Sequence, residues 1–88
     1  MDDALAAKRR DEVRALLASI LQIPQSDIAP DASVESLPAW DSVSHLRLIL
    51  ALEQEYAVRF DEGEILDVLS VDLILQALDR RLSKPPRI

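Results

Sequence analysis

The stretch from Ser42 to Tyr56 constrains this chain most, because one neighbouring element cannot cover all of its apolar residues. On a helical wheel Leu48, Leu52, Tyr56, Ile49, Leu46, Leu50 and Val43 fill well over half of the circumference. Ser44, Arg47, Gln54 and Glu55 take the remaining arc, while His45 and Glu53 interrupt the apolar one. A surface helix needs only a stripe, so an arc this broad implies flanking elements on more than one side. The segment is therefore expected to be the central helix of its domain.

That helix has a marked beginning. The loop Leu37-Pro38-Ala39-Trp40 gives way at Asp41-Ser42 to the apolar stretch. Asp and Ser are both preferred N-cap residues. The Glu or Gln that completes a capping box is missing, because Ser44 stands three residues after Asp41 and His45 three after Ser42. One cap starts a helix, so one member of the pair has no local task. The first-turn N–H groups and the positive end of the helix dipole also favour a phosphate group at this point. Ser42 is either a cap or the place where a phosphate ester is attached, and the dipeptide leaves both readings open.

Upstream, Ala4 to Leu21 reads as a first helix, with Val13, Leu16, Leu17, Ile20 and Leu21 at the spacing of one buried face. The connection from Gln22 to Trp40 is too long for an ordinary helix–helix turn. It holds Pro24, Pro30 and Pro38 between the apolar anchors Ile23, Ile28, Val34 and Leu37, and is expected to pack across the bundle. Downstream, Asp61 and Glu64 have capping-box spacing for a short helix over Glu62 to Asp67. Gly63 in its first turn costs about 1 kcal/mol against Ala, which predicts a weak and mobile element. Ser70 is placed to cap a fourth helix, with Val71, Ile74, Leu75, Leu78 and Leu82 on its apolar face. Arg80, Arg81 and Lys84 suit its negative end. The predicted fold is all-α, a small helical bundle of three main helices plus one short helix with a long first loop. Residues 1–83 are expected to form the domain, and residues 84–88, with Pro85-Pro86, a disordered tail.

Composition acts as a filter on function. A chain of 88 residues has room for one small core. The net charge of −6 argues against nucleic acid and anionic membranes as partners, and for basic protein surfaces. The absence of Cys removes disulfides and Cys-based metal sites, so any thiol chemistry must come from an added group. The longest unbroken apolar run, Leu48 to Leu52, is far short of a membrane span, and nothing resembles a signal peptide. A cytoplasmic monomer is expected. No paired-carboxylate site, second nucleophile, metal cluster or phosphate-cradling loop marks an enzyme.

The order Trp40-Asp41-Ser42-Val43-Ser44-His45-Leu46, then Leu52-Glu53-Gln54-Glu55-Tyr56, then Val58-Arg59-Phe60, resembles the acyl carrier protein family. In that family an Asp-Ser-Leu motif opens the second helix, a Leu-Glu pair and an aromatic residue close it, and a short acidic helix follows. The likeness runs without a gap from Asp41 to Val71. It implies a carrier and not an enzyme, with no catalytic residue and no metal. A phosphopantetheinyl transferase, using coenzyme A and Mg²⁺, would place 4′-phosphopantetheine on Ser42, whose arm then holds acyl groups as thioesters. An acyl-loading ligase or transferase and a ketosynthase or other acyl-processing enzyme are the further partners implied. Val43 departs from the usual Leu or Met, and Ser44, Arg47 and Gln54 stand where acidic residues are common. These departures point away from the housekeeping fatty-acid carrier and toward a specialised lipid or secondary-metabolite pathway.

Roles can then be expected for single residues. Asp41 is the N-cap, the charge that a basic transferase reads, or both. With Val43, Arg47, Glu53 and Glu55 it forms the expected partner-recognition set. Leu46, Ile49, Ile65 and Val68 are expected in the core, and the resemblance adds that their equivalents line an acyl-chain cleft. His45, one turn past Ser42, is expected on the surface with no role as a base. Trp40 either contacts partners or anchors the loop. Two alternatives stand beside the acyl carrier. One is an aminoacyl or peptidyl carrier of nonribosomal-peptide type, in which the residue before the serine is more often His or another non-acid. The other is a non-carrier helical interaction module in which Asp41 and Ser42 only cap.

Overall fold

The computed structural model describes residues 3–83, and the expected tail at 84–88 lies outside them. The helices are α1 (Asp3–Leu21), α2 (Ser42–Tyr56), α3 (Glu62–Asp67) and α4 (Val71–Ser83), with a 3-10 turn at Gln25–Asp27 in the first connection. The starts of α2 and α3 fall where the sequence places them because each is fixed by a side-chain cap. Asp41 accepts from Ser44 N–H at 2.9 Å, and Asp61 from Glu64 N–H at 2.8 Å. Glu64 completes the box by accepting from Asp61 N–H at 3.2 Å. Ser70 Oγ likewise accepts from Leu73 N–H at 3.1 Å and opens α4. Both α1 and α2 end through a left-handed residue, Gln22 (φ 58°) and Ala57 (φ 53°).

The core forms where the long helices meet. Val13 and Leu17 of α1, Leu48 and Leu52 of α2, and Ile74 and Leu78 of α4 are completely buried. The first loop packs across this core, as its length requires. Ile28 and Ala32 are buried in it, and the loop pairs with the α4 entry through Val34 N–H to Leu69 O (3.0 Å) and Val71 N–H to Ala32 O (2.8 Å). Two arginines of α1 pin the same loop. Arg14 donates to Ile28 O at 2.8 and 2.5 Å, and Arg10 donates to Pro30 O at 2.6 Å while pairing with Asp72 at 2.8 Å.

Two expectations need correction. First, α1 is the helix that packs against both of the other long helices, so α2 is not the hub of the bundle. The apolar arc of α2 is broad for a different reason: Val43, Leu46 and Leu50 face solvent at 61, 56 and 65 % exposure. Second, Leu82, expected on the apolar face of α4, is exposed near the end of that helix.

Candidate functional site

Asp41 settles which member of the Asp-Ser pair caps the helix. Its backbone is extended (φ −97°, ψ −175°), its Oδ1 accepts from Ser44 N–H, and its carbonyl accepts from His45 N–H at 2.8 Å. The hydrogen bonds from the Ser44 backbone and hydroxyl hold the Asp41 carboxyl below its ordinary value of 3.8, so it is ionised at neutral pH. A lowered value means the cap contributes fully above pH 3.8 and is lost as pH falls through the value in the folded state.

Ser42 is thereby freed from capping. It is the first residue of α2, it is exposed, and none of the described residues hydrogen-bonds its hydroxyl. Asp41 and Val43 on either side are also exposed, so nothing bulky covers the oxygen. An exposed hydroxyl on the first residue of α2 fits a phosphodiester, whose charge the positive end of the helix would favour.

One turn further on, the structure corrects the surface position expected for His45. The ring is buried, at 8 % exposure. Trp40 Nε1–H donates to His45 Nδ1 at 3.1 Å, and His45 Nε2 lies 2.6 Å from Ile65 O. Indole N–H can only donate and a carbonyl can only accept, so the ring is neutral with its proton on Nε2. The imidazole thus joins the end of the first loop, the first turn of α2 and the body of α3. Trp40, itself buried, anchors the loop through this bond. The signal was present in the sequence: His45 falls inside the apolar arc of α2, where a solvated ring does not belong.

The other expected residues separate. Ile49 and Val68 are buried and Ile65 is half-buried, as expected of core positions, but Leu46 is exposed. Leu46 is 56 % exposed, which corrects its expected place in the core to the surface of α2. Of the expected recognition set, Asp41, Val43 and Arg47 lie exposed in the first two turns beside Ser42. Glu53 Oε2 accepts from Phe60 N–H at 2.9 Å and so ties down the chain after α2. Glu55 is exposed and borders a recess that Glu12, Ala15 and Leu16 of α1 also line.

A helical bundle that presents an unbonded serine at the start of its second helix is the architecture of a carrier for a covalent arm. The chain belongs to the family described as "Phosphopantetheine attachment site", which it matches over residues 11–78. It is 30% identical over 74 residues to the "Polyketide-8 synthase acyl carrier protein 2" of Streptomyces avermitilis, covering 83% of this chain and 84% of that protein. It is also 30% identical over 74 residues to an "Acyl carrier protein" of Thermosynechococcus vestitus, covering 83% of this chain and 90% of that one. The protein is a phosphopantetheine-dependent carrier, and its cofactor is covalent 4′-phosphopantetheine. Such carriers work with phosphopantetheinyl transferases and acyl-processing enzymes, and the family is not itself catalytic. This overturns the reading of a helical module without carrier function.

Proposed function

We propose that Ser42 is the attachment point and that the chain carries acyl groups as thioesters for a specialised lipid or secondary-metabolite pathway. The observation that carries the assignment is the division of labour at α2: Asp41 does the capping, and the exposed Ser42 hydroxyl is left without a bond among the described residues. The likeness to a polyketide-synthase carrier supports the pathway class, and the neutral or basic Ser44, Arg47 and Gln54 support it independently. Asp41, an acid before the serine, favours acyl over aminoacyl cargo. The chain itself does no chemistry. Its work is to present the arm to a transferase, a loading ligase or transferase, and a ketosynthase or related enzyme. A cytoplasmic monomer fits this role, and no helix among the described residues is long and apolar enough to cross a membrane.

Asp41, Val43 and Arg47 are the recognition residues nearest the attachment point, with Glu53 and Glu55 farther along α2. An acyl chain sheltered between α2 and α3 would meet Ile49, Ile65 and Val68, with Leu46 at the rim. Incubation with coenzyme A, Mg²⁺ and a broad-specificity phosphopantetheinyl transferase should add one phosphopantetheine mass to the wild-type chain and none to Ser42→Ala. Equal modification of the Ala variant moves the arm elsewhere and sinks the assignment.

A further inference from the structure

Ser42, His45 and Ile49 stand at i, i+3 and i+7 along α2, so they share one row of that helix. The row passes from an exposed hydroxyl to a buried imidazole and then to the buried Ile49. In the middle of the row the imidazole crosses to α3. Its Nε2 lies 2.6 Å from Ile65 O, while its Nδ1 accepts from Trp40 Nε1–H at 3.1 Å. A chain that leaves Ser42 and runs between α2 and α3 toward Ile49 and Val68 meets this bridge first. An alkyl group can neither accept from the indole nor donate to the carbonyl, so its entry breaks both bonds and replaces neither.

We infer that His45 is a specificity-determining residue: its bridge to Ile65 O closes the α2–α3 cleft to short and polar acyl groups and admits only aliphatic chains long enough to displace it. This role of His45 rests on Ser42 as the attachment point. Length decides the outcome through two opposed magnitudes. Each methylene that leaves water favours entry by about fourfold and each broken bond opposes it by roughly tenfold, so three to four methylenes only restore balance. An acetyl or butyryl group therefore stays in solvent on its arm. A malonyl carboxylate stays there too, because it would lose its hydration between the buried Ile49 and Val68. A decanoyl chain has methylenes to spare. Short or charged acyl thioesters are thus the cargo that the closed bridge leaves open to partner enzymes.

The test loads the full chain with acetyl, malonyl, butyryl, hexanoyl, octanoyl and decanoyl arms, using a phosphopantetheinyl transferase and the matching coenzyme A thioesters. Amide exchange in α3 is then compared with that of the chain carrying the bare arm. Wild type should show no change with acetyl, malonyl or butyryl. Decanoyl should slow α3 exchange by roughly tenfold or more and shift Trp40 fluorescence, because the indole loses its acceptor. His45→Val removes both bonds and keeps an apolar side chain, so butyryl should slow exchange in that variant as well. His45→Gln can accept from the indole and donate to the carbonyl, and should restore the wild-type length dependence, which a side chain that only fills space would not do. Should His45→Val fail to fold, Trp40→Phe breaks one bond alone and should lower the threshold by about two methylenes. Protection by butyryl in wild type, none by decanoyl, a threshold unmoved in His45→Val or Trp40→Phe, or a His45→Gln profile like that of His45→Val overturns the gate while leaving Ser42 in place. Failure of the wild-type chain to take any arm overturns both.

Discussion

At the scale of single residues, the chain separates tasks that its sequence leaves overlapping. Asp41 caps and Ser42 does not, so the hydroxyl keeps its freedom to be esterified. His45 takes a structural role one turn away: it accepts from Trp40 and faces Ile65 O, holding the loop that leads into Ser42. Replacing it by Leu leaves the Trp40 N–H and the Ile65 carbonyl without their partner in the protein. Each buried group left unpaired costs about 1–3 kcal/mol, so thermal melting of His45→Leu should fall well below wild type. Trp40 fluorescence should shift as well, because the indole loses its acceptor. A melting temperature within a degree or two of wild type would show that the ring contributes nothing to the hold on the loop.

Among the elements, α3 is the least secured. It has six residues, and its caps are sound, but within it only Ile65 is even half-buried among apolar residues. Arg81 pairs with Glu64 and, at 3.8 Å, with Asp61, and such surface pairs contribute little. Gly63 adds backbone freedom without needing it, since a Cβ there would meet only Asp61 Oδ1 at 3.5 Å, an ordinary contact. Amide hydrogen exchange should therefore be faster in α3 than in the other helices, and Gly63→Ala should slow it by about fivefold, the equivalent of about 1 kcal/mol of helix preference. Attachment of a medium-length acyl chain should slow the same amides if the chain lodges against Ile49, Ile65 and Val68. Exchange in α3 as slow as in α2, or indifferent to the acyl chain, would place the cargo in solvent.

Across the whole molecule, the helices are held by a shared core and by a few polar links between distant segments. Tyr56 at the end of α2 donates to Glu12 Oε1 of α1 at 2.8 Å. Burial, then the hydrogen bond and charge of Glu12, raise the Tyr56 hydroxyl above its ordinary value of 10.0. With a raised value the link stabilises fully below pH 10.0 and is lost as pH climbs toward the folded-state value. Denaturant midpoints should thus fall as pH rises above about 10, and Tyr56→Phe should show a smaller fall. An identical alkaline profile in the two proteins would remove Tyr56 from the account. The sequence by itself determined the helix periods, the caps at Asp61 and Ser70 and the crossing loop, and it narrowed the cap of α2 to Asp41 or Ser42, because each depends on residues close to one another in the chain. It also showed that His45 breaks an apolar arc, though not what the ring would meet. Only the tertiary structure decided that Val43, Leu46 and Leu50 stay in water, that α1 is the hub, and that Arg10 and Arg14 pin the loop. Apolar residues on a wheel state that a surface is to be covered, but not whether a neighbour in the same chain covers it. That answer depends on where segments far apart in sequence come to rest, and here they leave one face of α2 open beside Ser42.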